Sequence, residues 1–309
     1  MQRAISKSTN PSKVHFYSSS GGNAGLGCVH AARFLGRPAT VVVPMSTKPL
    51  MIAKIRAAGA QEVLQQGETW QHADNYLRES VMPAAKGRGE EPMYVHPFDH
   101  PDVWEGHGTM VEEMKAQLGE SAAPDVIVCS VGGGGLFNGI MKGVQKVGWT
   151  DTTVLAMETV GADALAKSLE AGEHITIPGI TSQATSLGAI RVCDKTWELF
   201  TKSKNAKNAV LTDAEAAMGS WRFADDERIL VELACGVNVA LCYGGRLAKA
   251  LGRPVKPDDK VVIVVCGGSN ITIDMINKYK QEFGLLDDDI TTSEQQNVPS
   301  AAALTTITR

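Results

Sequence analysis

The sequence predicts an α/β protein made of two three-layer domains, each a mostly parallel twisted sheet with helices on both faces. Three observations carry this reading. Short apolar runs alternate with helix-length segments from residue 14 to residue 283. The runs at residues 39–44 (ATVVVP), 126–129 (VIVC), 153–159 (TVLAMET) and 260–265 (KVVIVV) are apolar on both faces, as strands covered by helices on both sides must be. Three strand ends run into glycine-rich turns, at residues 18–27, 132–135 and 266–270, and in open parallel sheets ligands gather at the carboxyl ends of strands. A chain of 309 residues is long enough for two such domains.

The elements follow in order. Residues 1–8 read as a helix and residues 14–18 (VHFYS) as a short strand. A polar loop, SSSGGNAGLG, spans residues 18–27, and an apolar helix, CVHAARFL, ends at Gly36, a helix stop. After Pro38 comes the strand at 39–44, a helix at 48–58, a strand at 62–64 and a helix at 69–85. KGRGEEP at 86–92 reads as a solvated loop, 93–97 as a strand and 102–118 as a helix. Beyond the strand at 126–129 and a helix at 136–147, the strand at 153–159 leads to a helix at 162–171 and a Ser/Thr-rich loop at 179–189. A helix at 195–201 and a strand at 208–211 follow. Thr212 and Asp213 start a further helix, because short polar side chains satisfy the first N–H groups of a helix. An apolar helix at 233–251, the strand at 260–265 and a helix ending near Phe283 complete the order. Residues 286–309 lack apolar periodicity and read as a mobile tail. The small domain is expected over residues 1–100 and the large one over 101–285.

Composition narrows the function. A formal net charge of −4 argues against a broad nucleic-acid or anionic-membrane surface. No apolar stretch approaches the length of a membrane span, and Met1 opens no secretory signal pattern. The six cysteines form no C-x-x-C pair, so the spacing suggests neither a zinc site nor a disulfide framework and points to a reducing, cytoplasmic setting.

The chain is organised around residues 126–138. Four glycines, Gly132, Gly133, Gly134 and Gly135, let backbone N–H groups approach a ligand, and the head of the next helix adds unpaired N–H groups and a positive dipole end. That combination favours a phosphate. It is neither a dinucleotide fingerprint, since Asn138 stands where the third glycine would be, nor a Walker loop, since Ile140 follows Gly139. His96, His100 and His107 lie close in sequence, but Pro97 and Pro101 break the helix an i,i+4 metal pair would need. Cys28 and Cys129 read as small buried residues, and Cys235 has no flanking base to activate it. Trp221 and Phe223 read as packing.

These residues together resemble fold-type II pyridoxal-phosphate enzymes, which have the tryptophan synthase β-like fold. SSSGGNAG resembles their S-x-G-N-x-G loop, VGGGGL their phosphate cup, and VCGGSN the segment facing the cofactor's pyridine nitrogen. MET at 157–159, SLGA at 186–189, PFD, WEGH and ILVE-x-ACG bring the chain nearest to the eukaryotic L-serine dehydratase (L-serine/L-threonine ammonia-lyase) branch. The likeness runs from about residue 14 to 283, and its specificity lies in the three glycine-rich turns occurring in this order.

The resemblance implies roles. Ser20, Gly21, Gly22 and Asn23 would receive the substrate carboxylate, and Asn23 would also hydrogen-bond the cofactor's phenolic oxygen. Gly132, Gly133, Gly134, Gly135 and Leu136 would hold the phosphate of pyridoxal 5'-phosphate. Cys266 would face the pyridine nitrogen as a neutral thiol, which suits β-elimination. Glu158, Ala162, Leu187 and Ala189 match a site for a monovalent or divalent cation; locally, Glu158 can instead cap or pair. The implied reaction converts L-serine to pyruvate and ammonia, and L-threonine to 2-oxobutanoate, in a homodimer with a cofactor cleft between its two domains. Two other readings stand beside it: a β-replacement enzyme of the cysteine-synthase type, and a non-catalytic ligand-binding paralogue.

One departure matters. The family's Schiff-base lysine lies in an S-F-K-x-R-G stretch ahead of the first glycine-rich loop. Lys7 (AISKST) and Lys13 (NPSKVH) have other contexts. MQRAISKS resembles the helix after that motif, so the lysine is expected upstream of Met1, and no catalytic residue is assigned. A chain without it is expected to be inactive or nearly so, because the same amine also moves the Cα proton.

Overall fold

The computed structural model describes residues 1–119 and 122–284 and divides into two compact units, residues 1–100 and residues 101 onward. The tail expected at 286–309 lies outside the described residues. Among the described residues the strands form two four-stranded sheets, one in each unit, and every pairing is parallel.

The first unit runs α1 (Gln2–Lys7), β1 (Val14–Ser18), α2 (Asn23–Phe34), β2 (Ala39–Val43), α3 (Pro49–Ala57), β3 (Glu62–Gln65), α4 (Trp70–Tyr76), α5 (Met82–Gly87) and β4 (Glu91–Tyr94). Its strand order is β3-β2-β1-β4. Alternation sorts the side chains of the central strand β1. Val14 and Phe16 pack with Leu26, Val29, Ile52 and Ile55 of α2 and α3, while Tyr17 packs with Ala73, Leu77 and Ala85 on the opposite face. The sheet is therefore buried from both sides, which is why β1 and β2 are solvent-free along their whole length.

The second unit runs α6 (Pro101–Leu118), β5 (Val126–Ser130), α7 (Gly135–Val147), β6 (Thr153–Thr159), α8 (Ala164–Ala171), α9 (Asp194–Lys202), β7 (Ala206–Leu211), α10 (Asp213–Glu227), α11 (Leu233–Val239), α12 (Arg246–Leu251), β8 (Val261–Ile263) and α13 (Ile273–Phe283). Its order is β7-β6-β5-β8. Ile127, Cys129 and Ala156 face Val111, Ile140 and Val144 of α6 and α7; Val128, Leu155 and Met157 face Met218, Trp221 and Val237 of α10 and α11. Trp221 thus sits in the core, with Phe223 packed on the neighbouring cluster around Val231 and Cys235.

Several boundaries differ from the sequence reading. Helix α2 begins at Asn23, inside the stretch read as loop. Strand β4 spans Glu91–Tyr94 rather than 93–97. It is an edge strand, so Pro92 sits in it without costing the sheet a hydrogen bond. The helix at 69–85 is instead α4, a wide π turn (Leu77–Val81) and α5; the turn directly precedes Pro83, whose ring would clash with a regular preceding turn. The helix read at 233–251 breaks after Cys242, where Gly244 and Gly245 take φ of 59° and 66°.

Candidate active site

In the first unit, β1 ends at Ser18 and the chain turns through Ser19, Ser20, Gly21 and Gly22 into the head of α2 at Asn23. Ser18 is fixed by its Oγ–H, which donates to Val95 O at 2.9 Å. Ser20 Oγ accepts from the Gly22 N–H at 3.3 Å. Gly25 lies under this turn, where any Cβ would collide with the Ser20 carbonyl oxygen. The sequence reading left Gly25 in the loop, but it is the helix residue that lets α2 start directly against the turn. The result is a half-buried turn of Ser20, Gly21, Gly22 and Asn23 opening a 12-residue helix, with first-turn N–H groups that have no partner inside the helix. Such a turn suits a carboxylate.

In the second unit, β5 runs through Ser130 and Val131 into the four glycines, and Gly134 caps the 13-residue helix α7 with φ of 95°. That left-handed conformation is costly for a residue with a side chain. Space forbids one as well: a Cβ on Gly134 would collide with Thr196 Oγ1, and one on Gly132 would stand 3.1 Å from the Leu187 Cα. Leu136 follows, half-buried, in the first turn of α7.

Behind the glycines lies a buried polar cluster that sequence reasoning missed. Thr196 Oγ1–H donates to Asn138 Oδ1 at 2.9 Å, Asn138 Nδ2–H donates to Cys193 Sγ at 3.1 Å, and the Cys193 N–H donates to Gly133 O at 3.0 Å. Asn138 and Thr196 are fully buried. The pattern signal was present in Asn138, a polar residue on the buried face of α7, but its partners lie 55 and 58 residues away.

Strand β8 lies beside β5, and the Val264 N–H donates to Val128 O at 2.9 Å, which carries Cys266 to the same edge of this sheet. Cys266 is exposed, yet the surrounding protein and then the Glu232 carboxylate push its thiol above the ordinary range, so it is neutral at pH 7. Glu232 is buried and holds the turn: its Oε2 accepts the Asn270 N–H at 2.8 Å, and its own N–H donates to Gly267 O at 2.9 Å. The buried Cys235 thiol is pushed up to about 12 by desolvation, and Cys28 likewise, which leaves both unreactive.

Glu158 is fully buried, and the local-cap arrangement describes what its carboxylate does. Oε1 accepts the Leu165 N–H at 2.9 Å, and Oε2 accepts the Ala166 N–H at 2.8 Å and Asn208 Nδ2–H at 3.0 Å. Burial pushes its pKa up to about 7 against the pull of these donors. Ala162 and Leu187 are buried and Ala189 half-buried; the Ala189 N–H donates to Leu187 O at 2.7 Å. Among the described residues no group of three or more His, Cys, Asp or Glu side chains is placed to hold a metal ion. His96 is engaged locally, its Nδ1 accepting the Asp99 N–H at 2.7 Å. Lys7 and Lys13 are exposed.

With this geometry in place, comparison with known proteins is direct. Residues 1–267 match the family described as pyridoxal-phosphate dependent enzyme. The chain is 43% identical to an L-serine dehydratase of Saccharomyces cerevisiae over 266 residues, which cover 84% of this chain and 78% of the relative. It is 40% identical to the L-serine dehydratase/L-threonine deaminase of Mus musculus over 275 residues, 88% of this chain and 81% of that one. Among solved structures, a fungal L-serine ammonia-lyase from Rhizomucor miehei superposes with a TM-score of 0.79 at 32% identity, covering 91% of this chain and 85% of the other. The loop, the cup and Cys266 itself lie within the residues matched by the family, and the chain belongs to the pyridoxal-phosphate dependent enzymes, among the L-serine dehydratases.

Proposed function

We propose that this chain serves the β-elimination of L-serine to pyruvate and ammonia, and of L-threonine to 2-oxobutanoate. What carries the reading is that the family match over residues 1–267 takes in both the Ser20–Asn23 turn and the glycine cup. The cup fits the phosphate of pyridoxal 5'-phosphate on its own geometry. Its glycines are packed so closely that Cβ atoms at Gly132 and Gly134 would meet neighbouring residues, and the head of α7 supplies N–H groups with no partner inside the helix.

In this reading the N–H groups of Gly132, Gly133, Gly134, Gly135 and Leu136 hold the phosphate. By the family resemblance Asn23 would donate to the phenolic oxygen, and Cys266 would meet the pyridine nitrogen as a neutral thiol. Pyridoxal phosphate, when bound, withdraws electrons from the substrate's Cα. Ser20, Gly21 and Gly22 bind the substrate carboxylate and orient Cα. Backbone carbonyls of Ala162, Leu187 and Ala189 are the proposed cation ligands beside Glu158, whose oxygens already accept three N–H donors. A cytoplasmic homodimer completes the proposal; light scattering on the purified chain and fractionation of its source cells check that part.

Proton removal from Cα needs a base. None of these binding segments contains a lysine, and none of the 309 residues stands in an S-F-K-x-R-G context. General-base catalysis is worth about 100- to 10,000-fold, so turnover by these residues alone should fall by at least that order. The test is a titration with pyridoxal phosphate followed by a pyruvate assay with L-serine. Saturable cofactor and serine binding with background pyruvate release is the expected result. Rapid turnover by these 309 residues would overturn the lysine argument, and no cofactor binding would overturn the whole reading.

A further inference from the structure

The Ser20–Asn23 turn is short, half-buried and made of small residues, so something must hold it. Within the first unit the indole Nε1–H of Trp70 donates to the Ser19 carbonyl oxygen at 2.6 Å, immediately before the turn. Ser19 is fully buried, and its own Oγ has no hydrogen-bond partner among the described residues, so it does not anchor itself. The anchor comes from α4, 51 residues along the chain.

Trp70 is itself held by a wall of rings. Its ring centroid lies 5.9 Å from that of His96, edge-on, and 6.0 Å from that of Phe98. His96 stands edge-on to Phe98 at 4.7 Å and to Tyr94 at 5.7 Å. The wall is pinned at both ends. His96 Nδ1 accepts the Phe98 and Asp99 N–H groups, which shapes the Pro97-Phe98-Asp99 bend. The Tyr94 hydroxyl donates to Asp74 Oδ1 at 2.5 Å, and Asp74, buried one helical turn after Trp70, also receives Arg78 Nε–H at 2.8 Å. Each ring thus limits the directions in which the indole N–H can point.

We infer that Trp70 is a positioning residue for the substrate carboxylate: its indole N–H fixes the Ser19 carbonyl, and so aims the N–H groups of the Ser20–Asn23 turn, with the Tyr94–His96–Phe98 rings as its backing. This rests on the reading of that turn as the carboxylate loop. A preorganised turn binds without first being ordered, whereas a loose one spends binding free energy on becoming ordered. Loss of the anchor should therefore weaken L-serine while leaving the cofactor phosphate, held by the glycines of the second unit, nearly untouched.

The test compares wild type with Trp70→Phe, which keeps a ring and loses the donor, and Trp70→His, whose imidazole Nε2 occupies the indole Nε1 position in a five-membered ring. Two readouts are taken on the full chain. In ligand-free protein, amide hydrogen exchange at residues 20–25 should quicken about tenfold in Trp70→Phe and return toward wild type in Trp70→His. With pyridoxal phosphate bound, the L-serine dissociation constant from calorimetry should rise about tenfold in Trp70→Phe and partly recover in Trp70→His, while the cofactor's own affinity, which depends on this turn only through Asn23, falls by a clearly smaller factor. Unchanged exchange in Trp70→Phe overturns the inference whatever serine does. So does unchanged serine affinity, or an equal loss of serine and cofactor affinity. Faster exchange in a protein whose wild type binds cofactor but no L-serine leaves the Ser19 anchor standing and overturns instead the carboxylate reading, and with it Trp70's role toward substrate.

Discussion

The Ser20–Asn23 turn and the Gly132–Gly135 cup are built on one plan and finished differently. Each follows the carboxyl end of a buried parallel strand and opens a helix of 12 or 13 residues. In the cup the glycines are jammed: Gly133, Gly134 and Gly135 are buried, and Thr196, Asn138 and Cys193 fill the space behind them. In the turn, residues 20–24 are half-buried; a Cβ on Gly21 would collide with the Thr47 side chain, but one on Gly22 would find its nearest neighbour, Ser20 Oγ, 3.9 Å away. The difference is what two ligands would require. A group held through many turnovers is served by a rigid cradle, and one that enters and leaves each time by a turn that is aimed but not sealed.

The sharpest way to break this comparison is to add one methyl group to each. Gly134→Ala forces a left-handed residue, which costs about 1–2 kcal/mol, and drives its Cβ against Thr196, which costs about 1–3 kcal/mol more. Pyridoxal-phosphate affinity, measured by absorbance titration, should fall on the order of 100-fold. Gly22→Ala has φ of −120° and open space, so the same titration should change by less than about threefold. Equal losses at both sites would mean that the two turns are not differently built.

A smaller effect is expected from the buttress. Thr196→Val keeps the shape but leaves Asn138 Oδ1 buried without its donor, a loss of about 1–3 kcal/mol. Part of this should reach the cup through the Cys193 N–H bond to Gly133 O, weakening cofactor binding about tenfold with little effect on serine. This is the mirror image of the Trp70→Phe result, and finding serine affinity lowered as much as cofactor affinity would erase the distinction.

The two units also differ in how pH should act on them. In the first, His15 is buried on β1, its Nδ1 2.8 Å from Glu90 Oε2 and its Nε2 3.0 Å from Thr40 Oγ1. Burial lowers its pKa below 6.5, outweighing the pull of Glu90. The unfolded chain therefore binds the proton first, and the stabilisation, complete above pH 6.5, is lost as pH falls, at no more than about 1.4 kcal/mol per pH unit. In the second, Glu158 is raised from 4.5 to about 7, so its contribution has the opposite sign: complete below 4.5 and lost as pH rises toward 7. With exchange corrected for the pH dependence of the intrinsic amide rate, protection from pH 7.5 to 5.5 should fall in β1 and rise in β6, and His15→Gln should flatten only the first trend. Parallel trends in both strands would contradict the assignment.

Much of this arrangement was legible in the sequence because it is local. Strand–glycine–helix junctions announce themselves within a dozen residues, and the alternation of β1 or β5 faces fixes which helices they meet. What was not legible is held by distance. No pattern around residue 19 points to Trp70, and none around Gly134 points to Thr196; both become visible only when parallel crossovers bring separate helices to one strand end. Pro92 misled the strand boundary because its tolerance depends on β4 being an edge, a property of the sheet and not of the segment. For Glu158 the resemblance implies a cation ligand and the local reading a cap or pair; the structure shows a cap on α8, which depends on β6 ending beside that helix.

The third strand end sharpens the contrast with the smallest effect. At Cys266 charge, rather than hydrogen-bond geometry, is the variable. The surrounding protein and then Glu232 raise the Cys266 thiol, whereas the other exposed cysteine, Cys242, is raised up to about 11 by burial and by Glu227 and Asp226. Glu232→Gln removes the charge and keeps an oxygen that can accept the Asn270 N–H. The Cys266 thiol should then ionise more readily, and its alkylation by iodoacetamide at pH 7.5 should accelerate about two- to fivefold, since the thiolate is the nucleophile. Cys242, read from the same digest by mass spectrometry, should keep its wild-type rate. If both cysteines quicken together, the substitution has loosened the unit as a whole. If Cys266 does not quicken, Glu232 does not set the charge at the position proposed to meet the cofactor nitrogen, and the neutrality of that thiol comes from its surroundings alone.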